Sequence, residues 1–172
     1  MKPRNLVLIG MSGAGKTRVG RLVAARLRWR FVDTDAEIER TTGRTVPEIF
    51  AADGEAAFRA IEREVVARVA RRSGAVIATG GGAILDPANR EALFTNNLVV
   101  CLQASAEQIA RRLAYSRERR PLLEGGDPLA AIRALQEQRA PLYALAHCTI
   151  TTDERTLGEI ATEVIERLRE YR

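Results

Sequence analysis

The stretch Leu6-Val-Leu-Ile-Gly-Met-Ser-Gly-Ala-Gly-Lys-Thr17 decides the fold. Leu6 to Ile9 are a short apolar run that reads as a buried strand. Gly10 to Thr17 fit G-x-x-x-x-G-K-[ST], the loop that cradles phosphates. Val19, Leu22, Val23 and Leu27 then recur at helical spacing, so an amphipathic helix follows. Glycines let successive backbone N–H groups converge on one anion, and the helix N-terminus adds partial positive charge. Lys16 is placed to reach the β- and γ-phosphates of a nucleotide, and the Thr17 hydroxyl to ligate Mg²⁺. The ordinary alternative is a glycine-rich turn before a helix. Composition speaks against it: of 27 Lys plus Arg, only Lys2 and Lys16 are lysine. A chain that otherwise uses arginine keeps a compact ammonium where a planar fork would not fit between phosphates.

The totals bound the rest. A chain of 172 residues that is 46% apolar suggests one globular domain with a real core. No apolar run is long enough to cross a membrane, and Met-Lys-Pro-Arg-Asn-Leu lacks the layout of a signal peptide, so a cytoplasmic protein is expected. Cys101 and Cys148 lie in strand-like runs and read as reduced, buried thiols rather than a disulfide framework. His147 has no metal-ligand companions and reads as structural or surface. The net charge of +5 invites a nucleic-acid partner. However, the arginines are spread along the chain among acidic residues, without aromatics interleaved to stack bases. Small anionic ligands account for the excess as well.

Further strands are expected at Phe31-Val32, Ala75 to Ala78, Leu98 to Leu102 and Cys148 to Thr151. Helices are expected between them. Thr34 or Asp35 is a candidate N-cap; Gly43 interrupts, Thr45-Val-Pro-Glu48 starts anew, and a longer helix spans about 54 to 72. Asp86-Pro87 and Asp127-Pro128 are expected to open later helices, and Ser105 to cap one. Tyr115 to Gly126 reads as a mobile basic surface segment. Five short apolar strands alternating with helices predict an α/β three-layer sandwich around a five-stranded parallel sheet. Ligands then sit at the carboxyl ends of the strands. Gly10 onward, Asp33 with Asp35, and Gly80 to Gly82 all fall there.

Asp33 and Asp35 offer two carboxylates beside a nucleotide phosphate. One can serve Mg²⁺ directly or through water; the other can orient an acceptor hydroxyl and take its proton. A helix cap plus a solvated acid is the plainer reading. Gly80-Gly81-Gly82 is either a flexible turn or a place where a small polar molecule meets main-chain N–H groups. Arg59 and Glu62, three apart on one helix, make at minimum a surface ion pair. Arg120 and Arg139, taken singly, read as solvated charges.

Taken together, these pieces resemble the shikimate kinase family over nearly the full chain. The matching segments are Gly10 to Thr17, Asp33-Thr-Asp35, Ile49 to Glu55, Phe58-Arg59 with Glu62, Thr79 to Gly82, Arg120-Pro-Leu-Leu123 and Arg139 to Tyr143. The resemblance implies a nucleoside-monophosphate-kinase-like fold in a single domain, 1–172. A shikimate-binding region would lie at about 33–62 and a lid at about 112–126. It implies transfer of the ATP γ-phosphoryl group to the 3-hydroxyl of shikimate, on the route to chorismate and the aromatic amino acids. Gly13, Ala14, Gly15, Lys16, Thr17, Arg18, Arg112, Arg120 and Arg155 would bind ATP, with Arg112 on the adenine. Thr17 and Asp33 would serve Mg²⁺. Asp35, Arg59, Gly80, Gly81, Gly82 and Arg139 would bind shikimate, with Glu62 holding Arg59. Lys16, Asp35 and Arg120 would carry catalysis. A monomer without nucleic-acid or membrane partners is implied. The family's usual proline near the C-terminal adenine loop is replaced here by Leu157-Gly158. Two other readings are a related small-metabolite kinase, such as gluconate kinase, and a non-catalytic nucleotide-binding relative. The joint presence of Asp33-x-Asp35, Arg59 and Arg139 disfavours the first. The joint presence of Lys16, Thr17, Asp33, Asp35 and Arg120 disfavours the second.

Overall fold

A computed structural model describes residues 3–114 and 127–171. Five parallel strands form one sheet: β1 (Leu6–Ile9), β2 (Arg30–Asp33), β3 (Ala75–Ala78), β4 (Leu98–Gln103) and β5 (Cys148–Thr151). Their spatial order is β2-β3-β1-β4-β5. The helices are α1 (Lys16–Leu27), α2 (Thr34–Thr42), α3 (Val46–Ala70), α4 (Pro87–Phe94), α5 (Ala106–Ala114), α6 (Pro128–Tyr143) and α7 (Leu157–Glu170). This is the expected three-layer sandwich.

Alternation along β1 explains the layers. Leu6 and Leu8 turn to one face and pack with Val19 and Val23 of α1 and Ile160 and Val164 of α7. Val7 and Ile9 turn to the other and pack with Ile38 of α2, Val65 and Val66 of α3, and Leu93 of α4. A strand covered on both faces needs an unbroken apolar run, which is why β1 carries no polar residue. A third, smaller cluster, Met11 with Ala104, Ile109 and Ile132, joins the phosphate loop to α5 and α6.

Local signals hold in most places. Thr45 and Glu48 form a reciprocal capping box at α3. Asp86, Ser105 and Asp127 accept backbone N–H bonds at the starts of α4, α5 and α6. One expectation is corrected. The cap of α2 is Asp33, whose extended backbone lets its carboxylate accept from the N–H groups of Asp35 and Ala36; Thr34 and Asp35 are already helical. The two helical segments expected on either side of Asp53-Gly54 are present, and they join within α3 across a non-helical Gly54 at φ 81°.

Cys101 and Cys148 are free. They lie on neighbouring strands but out of register, since Val100 pairs with Cys148 and Cys101 with Thr149. His147 packs tilted against Phe94 and edge-on to Tyr171, and its Nδ1 accepts from the Val99 N–H. Among the described residues no helix is long and apolar enough to cross a membrane.

Asn5, just before β1, is fully buried and tightly bonded. Its Nδ2, with two N–H groups, is shared among the carbonyls of Ala70 and Arg72 and Asn97 Oδ1, and its Oδ1 accepts from Ala75 N–H. One side chain thus ties the entries of β1 and β3 to the end of α3 and to the turn before β4. Asn5→Ala should cost about 3 kcal/mol, because it strands several buried partners at once. Urea unfolding would read this as a lower midpoint at unchanged slope. A loss under ~0.5 kcal/mol, the range of an ordinary surface change, would refute the role.

Candidate active site

The strand order creates the site. β1 leads by α1 toward β2 on one side, while β4 leads to β5 on the other. Their carboxyl ends therefore open a crevice at a switch point of the sheet. The loop after β1 lies in it. Gly15, at φ 99°, caps α1 where a side chain would be strained. Lys16 is buried, and its Nζ donates to the carbonyls of Gly10 at 2.7 Å and Met11 at 2.8 Å, so the ammonium lies over the loop it belongs to.

Thr17 Oγ1 donates to Asp33 Oδ2 at 2.8 Å. Asp33 Oδ1 meanwhile accepts from Asp35 N–H at 3.1 Å, so one carboxylate both caps α2 and faces the phosphate loop. Asp33 is thus the cap of α2, the plainer reading of this pair, while its other oxygen faces Thr17. No cluster of three or more His, Cys, Asp or Glu side chains able to hold a metal occurs among the described residues. A hard cation that keeps its waters and binds phosphate oxygens needs only one or two protein oxygens. The adjacent Thr17 hydroxyl and Asp33 carboxylate fit that requirement.

The glycine run after β3 is the meeting point of four other segments. A Cβ on Gly80 would lie 2.6 Å from Asp35 Oδ1, and one on Gly82 would lie 2.5 Å from Arg59 Nη2. A Cβ on Gly81 would lie 3.0 Å from Ser12 N and 3.6 Å from Arg139 Nη1. Side chains at these positions would displace Asp35 from α2 and Arg59 from α3. The run therefore does more than turn: it lets a carboxylate and two guanidiniums approach one stretch of backbone. Thr34, fully buried, fixes the run by accepting from Gly80 N–H at 3.0 Å. No local pattern in the sequence marks that bond, since it spans 46 residues.

The two arginines are held differently. Arg59 donates from Nη1 to Glu62 Oε2 at 2.8 Å and also pairs with Glu55. Glu62 is 1% exposed. Burial pushes its carboxyl above the ordinary glutamate value, against the opposing pull of Arg59. Arg59 and Glu62 are thus not a solvated surface pair. Arg139 is 6% exposed, although a lone arginine reads as a solvated charge. Its Nη1 contacts Met11 Sδ at 3.9 Å, and its buried Nε has no hydrogen-bond partner among the described residues. A buried guanidinium with spare donors suits a planar anion.

Beside the phosphate loop, Arg112 donates to the Gly13 carbonyl at 3.0 Å and to Thr152 Oγ1 at 3.2 Å. Burial lowers its pKa. Thr152, buried at the end of β5, also bonds the Ala14 carbonyl, so β5 is tied to the phosphate loop. Arg18 is exposed and sits near enough to Arg112 to repel it. Arg155 bonds the Thr151 carbonyl and pairs with Glu163 at 2.6 Å. Arg120 and most of the expected lid lie outside the described residues.

A family model described as shikimate kinase matches residues 12–169. A shikimate kinase of Symbiobacterium thermophilum is 51% identical over 168 residues, covering 96% of this chain and 97% of the relative. One from Thiobacillus denitrificans is 50% identical over 158 residues, covering 91% and 86%. The solved structure of an Acinetobacter baumannii shikimate kinase in complex with shikimate superposes with a TM-score of 0.92 at 41% identity, covering 98% of this chain and 93% of that one. With phosphate loop, paired carboxylates, glycine run and two arginines at one rim, and with relatives of this identity along its whole length, the chain belongs to the shikimate kinase family.

Proposed function

We propose that this rim is where the γ-phosphoryl group of ATP passes to the 3-hydroxyl of shikimate, giving shikimate 3-phosphate and ADP. Gly10 to Thr17 hold the donor, and Asp35, Arg59, Gly80 to Gly82 and Arg139 hold the acceptor. The observation that carries this reading is the convergence of Asp35, Arg59 and Arg139 on one glycine run that itself abuts Ser12 of the phosphate loop. An acceptor with a carboxylate and vicinal hydroxyls needs that combination. Residues 33–62 would form the acceptor region, and 112–126 a lid.

In this account Arg59 and Arg139 clamp the acceptor carboxylate and turn the ring so that its 3-hydroxyl faces the donor. Asp35 accepts a hydrogen bond from that hydroxyl and takes its proton as the oxygen–phosphorus bond forms. The bond from the γ-phosphorus to the bridging oxygen breaks, and ADP leaves with that electron pair. Lys16 and the loop N–H groups hold the β- and γ-phosphates, and Arg120 would add charge from the lid. Thr17 and Asp33 would hold Mg²⁺, which neutralises phosphate charge when bound. Positioning and charge neutralisation suffice, because phosphoryl transfer asks little covalent chemistry of the protein.

A coupled ADP-release assay with ATP and Mg²⁺ tests the reading against its runner-up. Release with shikimate and none above background with gluconate is expected; the reverse would refute it. Asp35→Asn should lower kcat about 100-fold or more, within the usual range for a lost general base, while KM for ATP is kept. Near-normal turnover in that variant would show that Asp35 neither orients the hydroxyl nor takes its proton.

Glu62 gives a pH dependence with a definite sign. Its raised carboxyl pKa means that, as pH falls, it takes a proton before an ordinary glutamate does and releases Arg59. KM for shikimate should therefore rise with acidification while KM for ATP stays level. The stability contribution of this group runs the other way. The folded state binds the proton more readily than the unfolded chain, so this contribution is present at low pH and lost as pH rises. Glu62→Gln should remove the shikimate inflection; the same inflection in that variant would contradict the assignment.

A further inference from the structure

Tyr143 has no part in the mechanism above, yet it touches the acceptor loop. It is the last residue of α6 and follows Arg139 by four, so both side chains leave one helix face. Its hydroxyl donates to the Gly81 carbonyl at 2.7 Å, across 62 residues of chain. Its ring is half-buried between the sheet core and the α5–α6 cluster, which anchors the phenol from both sides. Arg139 lies against the phenolic oxygen.

The bond matters because of what it holds. Glycine backbone is unrestrained by side chains, and three in a row can adopt many conformations. Thr34 fixes the run at Gly80 N–H, and Tyr143 fixes it at the Gly81 carbonyl. In a planar trans peptide the C=O and the next N–H point in opposite directions. Anchoring the Gly81 carbonyl on Tyr143 therefore turns the Gly82 N–H away from the phenol. It also keeps Gly81 against Ser12, the point where acceptor loop and donor loop touch.

We propose that Tyr143 is a positioning residue for the acceptor: its hydroxyl locks the Gly81–Gly82 peptide in the orientation that receives shikimate, so α6 supplies both a binding arginine and the brace for the loop opposite it. This rests on the rim being the shikimate site. Burial raises the phenol above its ordinary pKa, with Arg139 opposing, so the hydroxyl stays a donor at neutral pH.

Tyr143→Phe keeps the ring and removes only the hydroxyl. Steady-state kinetics of the intact enzyme should show KM for shikimate raised about tenfold, the fold-change of one typical hydrogen bond. KM for ATP should change less than about twofold and the thermal midpoint should fall by no more than about 4 °C. Unchanged shikimate KM would overturn the proposal. So would a parallel rise in both KM values, because general loosening and not loop orientation would then be the cause. Wild-type enzyme that fails to phosphorylate shikimate would overturn the underlying reading as well, whereas an active wild type with an unchanged Tyr143→Phe variant overturns this proposal alone.

Discussion

Burial of β1 on both faces governs the molecule. All four of its residues are buried, flanked by β3 and β4 and covered by helices above and below. No polar side chain can sit along such a strand without large cost. Chemistry is therefore displaced to the strand ends, and parallel pairing puts every carboxyl end on one side. The phosphate loop, the Asp33–Asp35 pair and the glycine run share a rim because β1, β2 and β3 end together. At the opposite end the same constraint places Asn5, whose hydrogen bonds satisfy backbone groups that converge there.

The rim itself is a balance of charge and space. Lys16, Arg59 and Arg139 bring positive charge to this rim. Each is held in place by a different device: backbone carbonyls for Lys16, a buried carboxylate for Arg59, and burial beside Met11 and Tyr143 for Arg139. A buried pair such as Arg59–Glu62 adds little net stability, since desolvation offsets attraction. Its value lies in orientation. The guanidinium cannot swing to solvent without leaving Glu62 charged and buried. The glycine run is the spatial counterpart: a Cβ at Gly80 or Gly82 would crowd Asp35 or Arg59 out of place.

The features that a contiguous motif encodes were legible in the sequence. Strand, phosphate loop and helix follow one another within Leu6 to Leu27, and the apolar strands announced a parallel sheet. Capping of α3 by Thr45 was equally local. What was not legible depends on pairs far apart in the chain. Thr34 with Gly80, Tyr143 with Gly81 and Asn5 with Asn97 leave no periodicity or spacing to read. The same holds for the buried state of Arg139: composition describes an arginine as a solvated charge, and only the packing of α6 against the phosphate loop removes it from water. The cap of α2 was misplaced by one or two residues because Asp33, Thr34 and Asp35 all have capping chemistry. The backbone decides among them.

The central claim is that donor and acceptor meet across Ser12 and Gly81, with Asp35, Arg59 and Arg139 on one acceptor molecule. A crystal structure of the protein with ADP and shikimate measures this directly. The account predicts both guanidiniums on the shikimate carboxylate and the 3-hydroxyl within hydrogen-bond reach of Asp35, about 2.6–3.2 Å. A carboxylate that contacts neither arginine, or a 3-hydroxyl turned away from Asp35, would contradict it.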